Sequence, residues 1–242
     1  MPMELLMNIM QFLAKLKANY TSAKPDTRIL MKLHLDNQVN KWANAGERST
    51  EHADHPSTDW IIDFICEPLP ESVFEIGCDT GVNLLRIKHR HHDICAGGAD
   101  INPVAIEQAI QVFKDKCIPS NELFCMPSWD LSSIPDKSFD VSFSKAVFTI
   151  VNDSLIFPSI TELIRITEKK IVLFEHHDPD STRMGRRRKR CGDKGKHWYR
   201  DYVNLLMPLA KSVKTVKMPR EIWPESLSWQ MFGHVIIAEL WE

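Results

Sequence analysis

Two hydrophobic rhythms divide the chain near residue 70. Before it, apolar residues recur at helical spacing. Leu5, Leu6, Ile9, Phe12, Leu13 and Leu16 share one face over Glu4 to Lys17. Pro25 interrupts, and Asp26 caps a second predicted helix that runs toward Gly46. Residues 46–58 read as a polar linker. Ser57, Thr58 or Asp59 then caps a short helix from Trp60 to Cys66, which Pro68 and Pro70 end. After residue 70, short apolar runs alternate with helical stretches. Ser72–Ile76, Ile94–Asp100, Leu123–Met126, Phe139–Phe143 and Ile171–Glu175 are predicted as buried parallel strands. Gly81–Arg90, Pro103–Lys114 and a stretch around Ser159–Thr167 are the helices between them. A helix at about 198–211 and two strand-like runs, Val213–Met218 and Val235–Trp241, complete the chain. Those two runs have no helix-length segment between them, so they pair antiparallel. The expectation is a doubly wound, mostly parallel α/β sheet over 71–242, preceded by a helical extension or lid over 1–70.

Composition narrows the class. The chain has 242 residues, 43% hydrophobic and 26% charged, which suits a globular protein with a full core. No apolar run approaches the ~18 residues of a membrane span, and no basic region precedes the N-terminal apolar stretch. Six cysteines stand apart, none as C-x-x-C. That pattern points to reduced thiols and a cytoplasmic protein. Net charge is −2, but residues 183–200 hold nine Lys or Arg against the single acid Asp193. This run is +8 and the remainder of the chain is −10.

The candidate chemistry lies in Glu75-Ile-Gly-Cys-Asp-Thr-Gly81. A buried strand enters a turn bearing Gly77 and Gly81, and a helix follows. In an open parallel sheet, ligands bind at the carboxyl ends of such strands. The next predicted strand ends in Asp100, an acid placed to accept from ribose hydroxyls. The dinucleotide pattern fails, because Asp79 and Val82 stand where glycines belong. A carboxylate ~4 Å from a phosphate charge costs on the order of 4 kcal/mol at an effective dielectric near 20. A phosphate-binding loop motif is also missing. A phosphate-free, cationic nucleoside meets neither objection.

With Gly98-Ala-Asp-Ile-Asn-Pro103, Trp129-Asp-Leu-Ser-Ser-Ile-Pro135 and Phe139-Asp-Val-Ser-Phe-Ser144, this turn resembles the ordered motifs of class I S-adenosylmethionine-dependent methyltransferases. The resemblance covers about residues 70–175, and the two terminal strands suit that family's seven-stranded sheet with a reversed last strand. It implies S-adenosylmethionine as cofactor. Gly77, Cys78, Asp79 and Gly81 would line its methionine and ribose, and Glu75 would lie near its amine. Asp100 would take the ribose hydroxyls, and Ile101 would flank the adenine. Trp129 would stack on the adenine, Asp130 would accept from its amino group, and Leu131 would offer the ring a backbone N–H. Ser144 would face the amino-acid end. Two departures stand out: Asp79 replaces the usual middle glycine, and Ile150 stands where the family often has a His.

For a general base, Glu175, His176 and His177 follow the fifth strand at the ligand edge. His177-Asp-Pro179 and Trp198-Tyr-Arg-Asp-Tyr202 weakly resemble methyltransferases of sugar and surface-glycan pathways. That makes Tyr199, Arg200 and Tyr202 substrate-binding candidates. The basic insertion, about 178–200, reads as a substrate lid, a solvated loop or a protein contact. The leading acceptor is a small polar or anionic metabolite of the sugar or carboxylate class. RNA is the alternative, favoured by the basic run and disfavoured by the lack of an N-P-P-Y-type motif. A non-catalytic cofactor-binding scaffold is the third reading. His52, Asp54 and His55, and His89, His91 and His92, lack a second ligand pair at familiar spacing, so no metal is expected.

Overall fold

The computed structural model describes residues 55–120, 122–181, 186–187 and 197–241. The predicted helices before residue 55, and most of the basic run, lie outside the described residues. The elements are α1 (Pro56–Ile65), β1 (Ser72–Ile76), α2 (Val82–Arg90), β2 (Cys95–Asp100), α3 (Pro103–Asp115) and β3 (Leu123–Cys125). Then come β4 (Phe139–Lys145), α4 (Asp153–Ile166), β5 (Thr167–His176), β6 (Arg186–Arg187) and β7 (Trp198–Tyr199). The chain closes with α5 (Tyr202–Leu206), β8 (Ser212–Lys217), α6 (Leu227–Phe232) and β9 (Gly233–Glu239).

Seven strands form one sheet in the order β3-β2-β1-β4-β5-β9-β8. Strands β1 to β5 pair in parallel, and β9 runs antiparallel to both β5 and β8. This is the doubly wound sheet with a reversed last strand. The order turns back at β1, so the ends of β1 and β4 flank the crevice where such sheets bind ligands.

Side chains alternate along each strand, so both faces are covered. Phe74, Ile76, Ile171 and Leu173 pack with Ile156, Ile160 and Leu163 of α4 and Leu205 and Leu206 of α5. Val73, Val141, Phe143, Val172 and Phe174 pack on the other face with Ile61, Ile62 and Ile65 of α1, Leu84 and Ile87 of α2, and Phe113 of α3. Each such side chain, fully buried, contributes roughly 1.5–3 kcal/mol. Helix α1 is therefore a layer of the α/β core.

Several boundaries differ from the sequence expectation. Helix α1 begins at Pro56 because His55 caps it, its Nδ1 accepting from the Ser57 amide at 3.2 Å. Helix α4 begins at Asp153, capped by Asn152, and tolerates Pro158 inside it. The helix expected at 198–211 is helical only over α5, since Trp198–Tyr199 pairs antiparallel with Arg186–Arg187. A short helix, α6, stands between the last two strands, where no helix was expected.

Candidate functional site

The turn between β1 and α2 is left-handed at three places: Gly77 (φ 69°), Asp79 (φ 47°) and Gly81 (φ 77°). Gly77 admits no other side chain, because an added Cβ would stand 2.3 Å from Val147 Cγ2. The amides of Gly77 and Cys78 both donate to the Ala99 carbonyl, at 2.7 and 3.0 Å. This clips the turn to the end of β2 and brings Asp100 beside it. Asp100 Oδ2 accepts from the Asp79 amide at 3.0 Å, and Oδ1 accepts from the Asn102 amide at 2.9 Å. Asn102 in turn caps α3 by accepting from Val104 and Ala105.

Glu75 lies beneath this turn, fully buried. Its Oε1 accepts from Asn83 Nδ2 at 2.6 Å, while Oε2 is buried with no partner among the described residues. Lys145, at the end of β4, donates to Thr58 Oγ1 of α1 at 2.7 Å and contacts Asn83 Oδ1 at 3.4 Å. Burial pushes Glu75 up to about 8 and Lys145 down to about 8, and their mutual attraction opposes both shifts. Asp79 is raised to about 6, first by burial and then by the Asp100 charge. Asp100 is raised by burial, against its backbone hydrogen bonds. The site thus holds three carboxyl groups near one half-buried ammonium.

A second cluster lies behind the turn that follows β4. Glu175 is fully buried, and its Oε1 accepts from Ser144 Oγ and from the amides of Val147 and Phe148. Its Oε2 accepts from the Thr149 amide at 2.9 Å. Arg200, also fully buried, donates to the carbonyls of Phe148 and Val151 at 2.5 and 2.6 Å. His176 lies behind Thr149, with Nδ1 2.9 Å from the Thr149 hydroxyl and its ring stacked on Tyr199 at 4.8 Å. Burial lowers His176 to about 3. His177 Nδ1 accepts from the Tyr202 amide at 3.2 Å, and burial lowers it too.

Six of the expected catalytic and substrate-binding residues make their contacts inside the protein. Glu175, His176 and His177 are buried, with their hydrogen bonds made to the chain. Tyr199, Arg200 and Tyr202 are each 0% exposed and build the scaffold behind the turn. Ser144 faces Glu175, away from the Glu75 side of the sheet. Period-two alternation decides this: Glu75 and Lys145 project to the α1–α2 face, and Ser144 and Glu175 to the α4 face.

No protein-family model matches the chain, and no curated protein matches it. Solved structures do match. One is 1,6-didemethyltoxoflavin-N1-methyltransferase from Burkholderia thailandensis, bound to 1,6-didemethyltoxoflavin and S-adenosylhomocysteine. It is 10% identical, with a TM-score of 0.62 over 91% of this chain and 92% of that one. Geranyl diphosphate C-methyltransferase from Streptomyces coelicolor is 12% identical, with a TM-score of 0.56 over 76% and 77%. The [4+2]-cyclase SpnF is 14% identical, with a TM-score of 0.54 over 76% and 79%. The fold is that of the class I methyltransferases. The cyclase shows that this fold also serves other chemistry.

Within this methyltransferase fold, the remaining candidates fall in three places. Ile101 directly follows Asp100 and is half-buried, as is Trp129. Asp130 is exposed, and its Oδ1 accepts from the Ser132 amide and hydroxyl, which lower its pKa. Leu131 is fully buried. Its side chain is in the core, and its amide donates to Glu162 Oε2 at 2.8 Å, so that N–H already has an acceptor. Among the described residues, no group of three potential metal ligands is present. His55 is a helix cap in contact with Trp223. His52 and Asp54 lie outside the described residues.

Sequence reasoning missed Lys145, Asn83 and Thr58. A lysine closing an otherwise buried strand was a usable signal, because Lys is rarely buried without a partner. Its partner Thr58 stands 87 positions away, and nothing local announces that pairing.

Proposed function

We propose that the chain is an S-adenosylmethionine-dependent methyltransferase acting on a small polar or anionic metabolite of the sugar or carboxylate class. The observation that carries the cofactor reading is the buried Glu75 Oε2 beneath the glycine turn, an acceptor without a partner among the described residues. An amino group of the cofactor would supply the missing donor. Asp100 fits as well: each oxygen accepts one backbone N–H and keeps lone-pair capacity for ribose hydroxyls. The acid-rich donor set suits a cation and opposes a pyrophosphate.

When bound, the cofactor supplies a methyl group on a sulfonium that is already electrophilic. The chain's own work is then binding, orientation and exclusion of water. The turn 146–149, pinned by Glu175, packs Val147 onto Gly77 and fixes the wall beside the reacting end. Since Glu175, His176 and His177 are sealed, an acceptor that is anionic when bound, such as a carboxylate, suits this site without a base. The basic run 183–200 is the proposed source of charge for it. The five described cysteines are free thiols, which supports a cytoplasmic setting.

A cofactor-binding protein that transfers no methyl group is the second reading, favoured by the absence of an accessible base among Glu175, His176 and His177. Calorimetry with S-adenosylmethionine, S-adenosylhomocysteine and NADH tests the cofactor. Label transfer from methyl-labelled cofactor to pooled small metabolites and to RNA tests the acceptor. Label in the metabolite fraction supports the proposal. Label in RNA alone overturns the acceptor class, binding without any label selects the second reading, and NADH binding alone overturns the cofactor.

A further inference from the structure

Residue 79 carries a side chain where the backbone favours none. Its φ of 47° lies in the left-handed region, where an L-residue costs roughly 1–2 kcal/mol and Asp is among the more tolerated types. Its amide is fixed to Asp100 Oδ2 at 3.0 Å, and its carboxyl group lies near enough to feel the Asp100 charge. Glu75 joins them from below. The charged groups facing this cluster are Lys145, which attracts Glu75, and the three carboxyls themselves.

An acidic cluster alone is no site. Here a separate observation points to a ligand: the buried Glu75 Oε2, with no partner among the described residues. Glu75 has Lys145 and Asn83 for company, whereas the Asp79 carboxylate has the Thr80 backbone N–H and, among the described residues, no cation paired with it. A single ammonium on the ligand would satisfy Glu75 and leave Asp79 over. A second positive centre on the same ligand would balance it.

We propose that Asp79 reads the charge on the cofactor's sulfur, holding the sulfonium form in preference to the neutral thioether left after methyl transfer. Product release is then built into the turn, because loss of the methyl removes the charge that Asp79 balances. This inference rests on the proposed cofactor.

The test is calorimetry of S-adenosylmethionine and S-adenosylhomocysteine with wild type, Asp79→Asn and Asp79→Gly. Asn keeps the shape and removes the charge, and Gly suits the left-handed backbone, so thermal melting of both variants verifies the fold. In wild type the sulfonium form binds more tightly. Removing one charge lowers S-adenosylmethionine affinity about tenfold and leaves S-adenosylhomocysteine within about twofold, as expected for screened charges several ångströms apart. An unchanged ratio of the two constants in both variants overturns this inference and leaves the cofactor standing. Binding of neither molecule to wild type overturns the cofactor reading, and this inference with it.

Discussion

Glu175 and Arg200 hold one turn by its opposite chemical groups. The carboxylate accepts the N–H groups of Val147, Phe148 and Thr149, and the guanidinium donates to the carbonyls of Phe148 and Val151. A buried irregular segment must satisfy its backbone somewhere, and this one uses two ionisable side chains. Ala146, at φ 61°, begins the turn, and Val147 projects from it onto Gly77. The shape of the wall beside Gly77 therefore depends on a network on the other face of the sheet.

Glu175→Gln should expose that dependence. The amide has one oxygen for four donors and presents an NH2 group to the backbone N–H groups it replaces acceptors for. Left-over buried donors cost about 1–3 kcal/mol each, so urea unfolding should show a loss of at least that size. The loss should depend on pH. Burial raises Glu175 to about 7 from 4.5, so its contribution is full below 4.5 and fades as pH rises through 7. The stability gap between wild type and variant should narrow over that range. A gap that widens would contradict a raised pKa.

Gly77→Ala tests the contact between the two turns. The added methyl would stand 2.3 Å from Val147 Cγ2, at a φ that L-residues avoid. A loss of about 2–4 kcal/mol is expected from strain and overpacking together. Val147→Ala in the same chain should return part of it, a coupling that a double-mutant cycle measures. Strictly additive losses would mean that the clash is relieved elsewhere.

Asp100 holds two backbone N–H groups and is the proposed ribose contact. Asp100→Ala removes the acceptor of two backbone N–H groups and should cost about 1–3 kcal/mol, read from urea unfolding. Asp100→Asn keeps one oxygen for that purpose. It should melt within a few degrees of wild type yet bind the cofactor about ten- to hundredfold more weakly, since charge-assisted bonds are the strong ones. Equal affinity in Asp100→Asn would place the ribose elsewhere.

The sequence was most legible where chemistry is local. Ser72–Ile76, the turn glycines and Asp100 are read from one contiguous pattern, and the strand bounds match to the residue. Asn102 announced its helix because cap and Pro103 are neighbours. Glu175, His176 and His177 were located at the right strand end, but their roles depend on what covers them. Trp198 to Tyr202 closes over them from more than 20 positions downstream, through Arg200 paired to His177 and the Trp198 amide on the Thr149 carbonyl. No local pattern announces such long-range cover.

His176 offers a second pH test with the opposite sign. Burial lowers it to about 3 from 6.5, so its contribution is present above 6.5 and lost as pH falls toward 3. Protonation would put a charge against Tyr199 and Trp229. Relative to a His176→Phe variant, wild type should lose roughly 2–3 kcal/mol between pH 6.5 and 4.5, measured by urea unfolding. The comparison with the variant matters, because Glu75, Asp79 and Glu175 shift the other way over the same range. Parallel stability curves for the two proteins would show that His176 titrates normally.

The last test concerns the basic run. Arg186 and Arg187 pair in antiparallel fashion with Tyr199 and Trp198. Trp198 is itself bound to Thr149, its amide on the Thr149 carbonyl at 2.6 Å. This ties the base of a +8 segment to the turn beside Gly77. If the segment attracts an anionic acceptor, neutralising Arg186 to Arg190 should raise KM for that acceptor and leave cofactor affinity unchanged. Wild-type activity should fall with added salt, because exposed charges are screened beyond ~10 Å at 0.1 M. The salt slope separates acceptor classes. Contacts to several RNA phosphates make log affinity fall steeply with log salt, whereas one or two charges on a metabolite give a shallow slope. A shallow slope that vanishes in the neutralised variant supports the metabolite. A steep one selects RNA, and identical KM and slope in both proteins would remove the run from substrate binding.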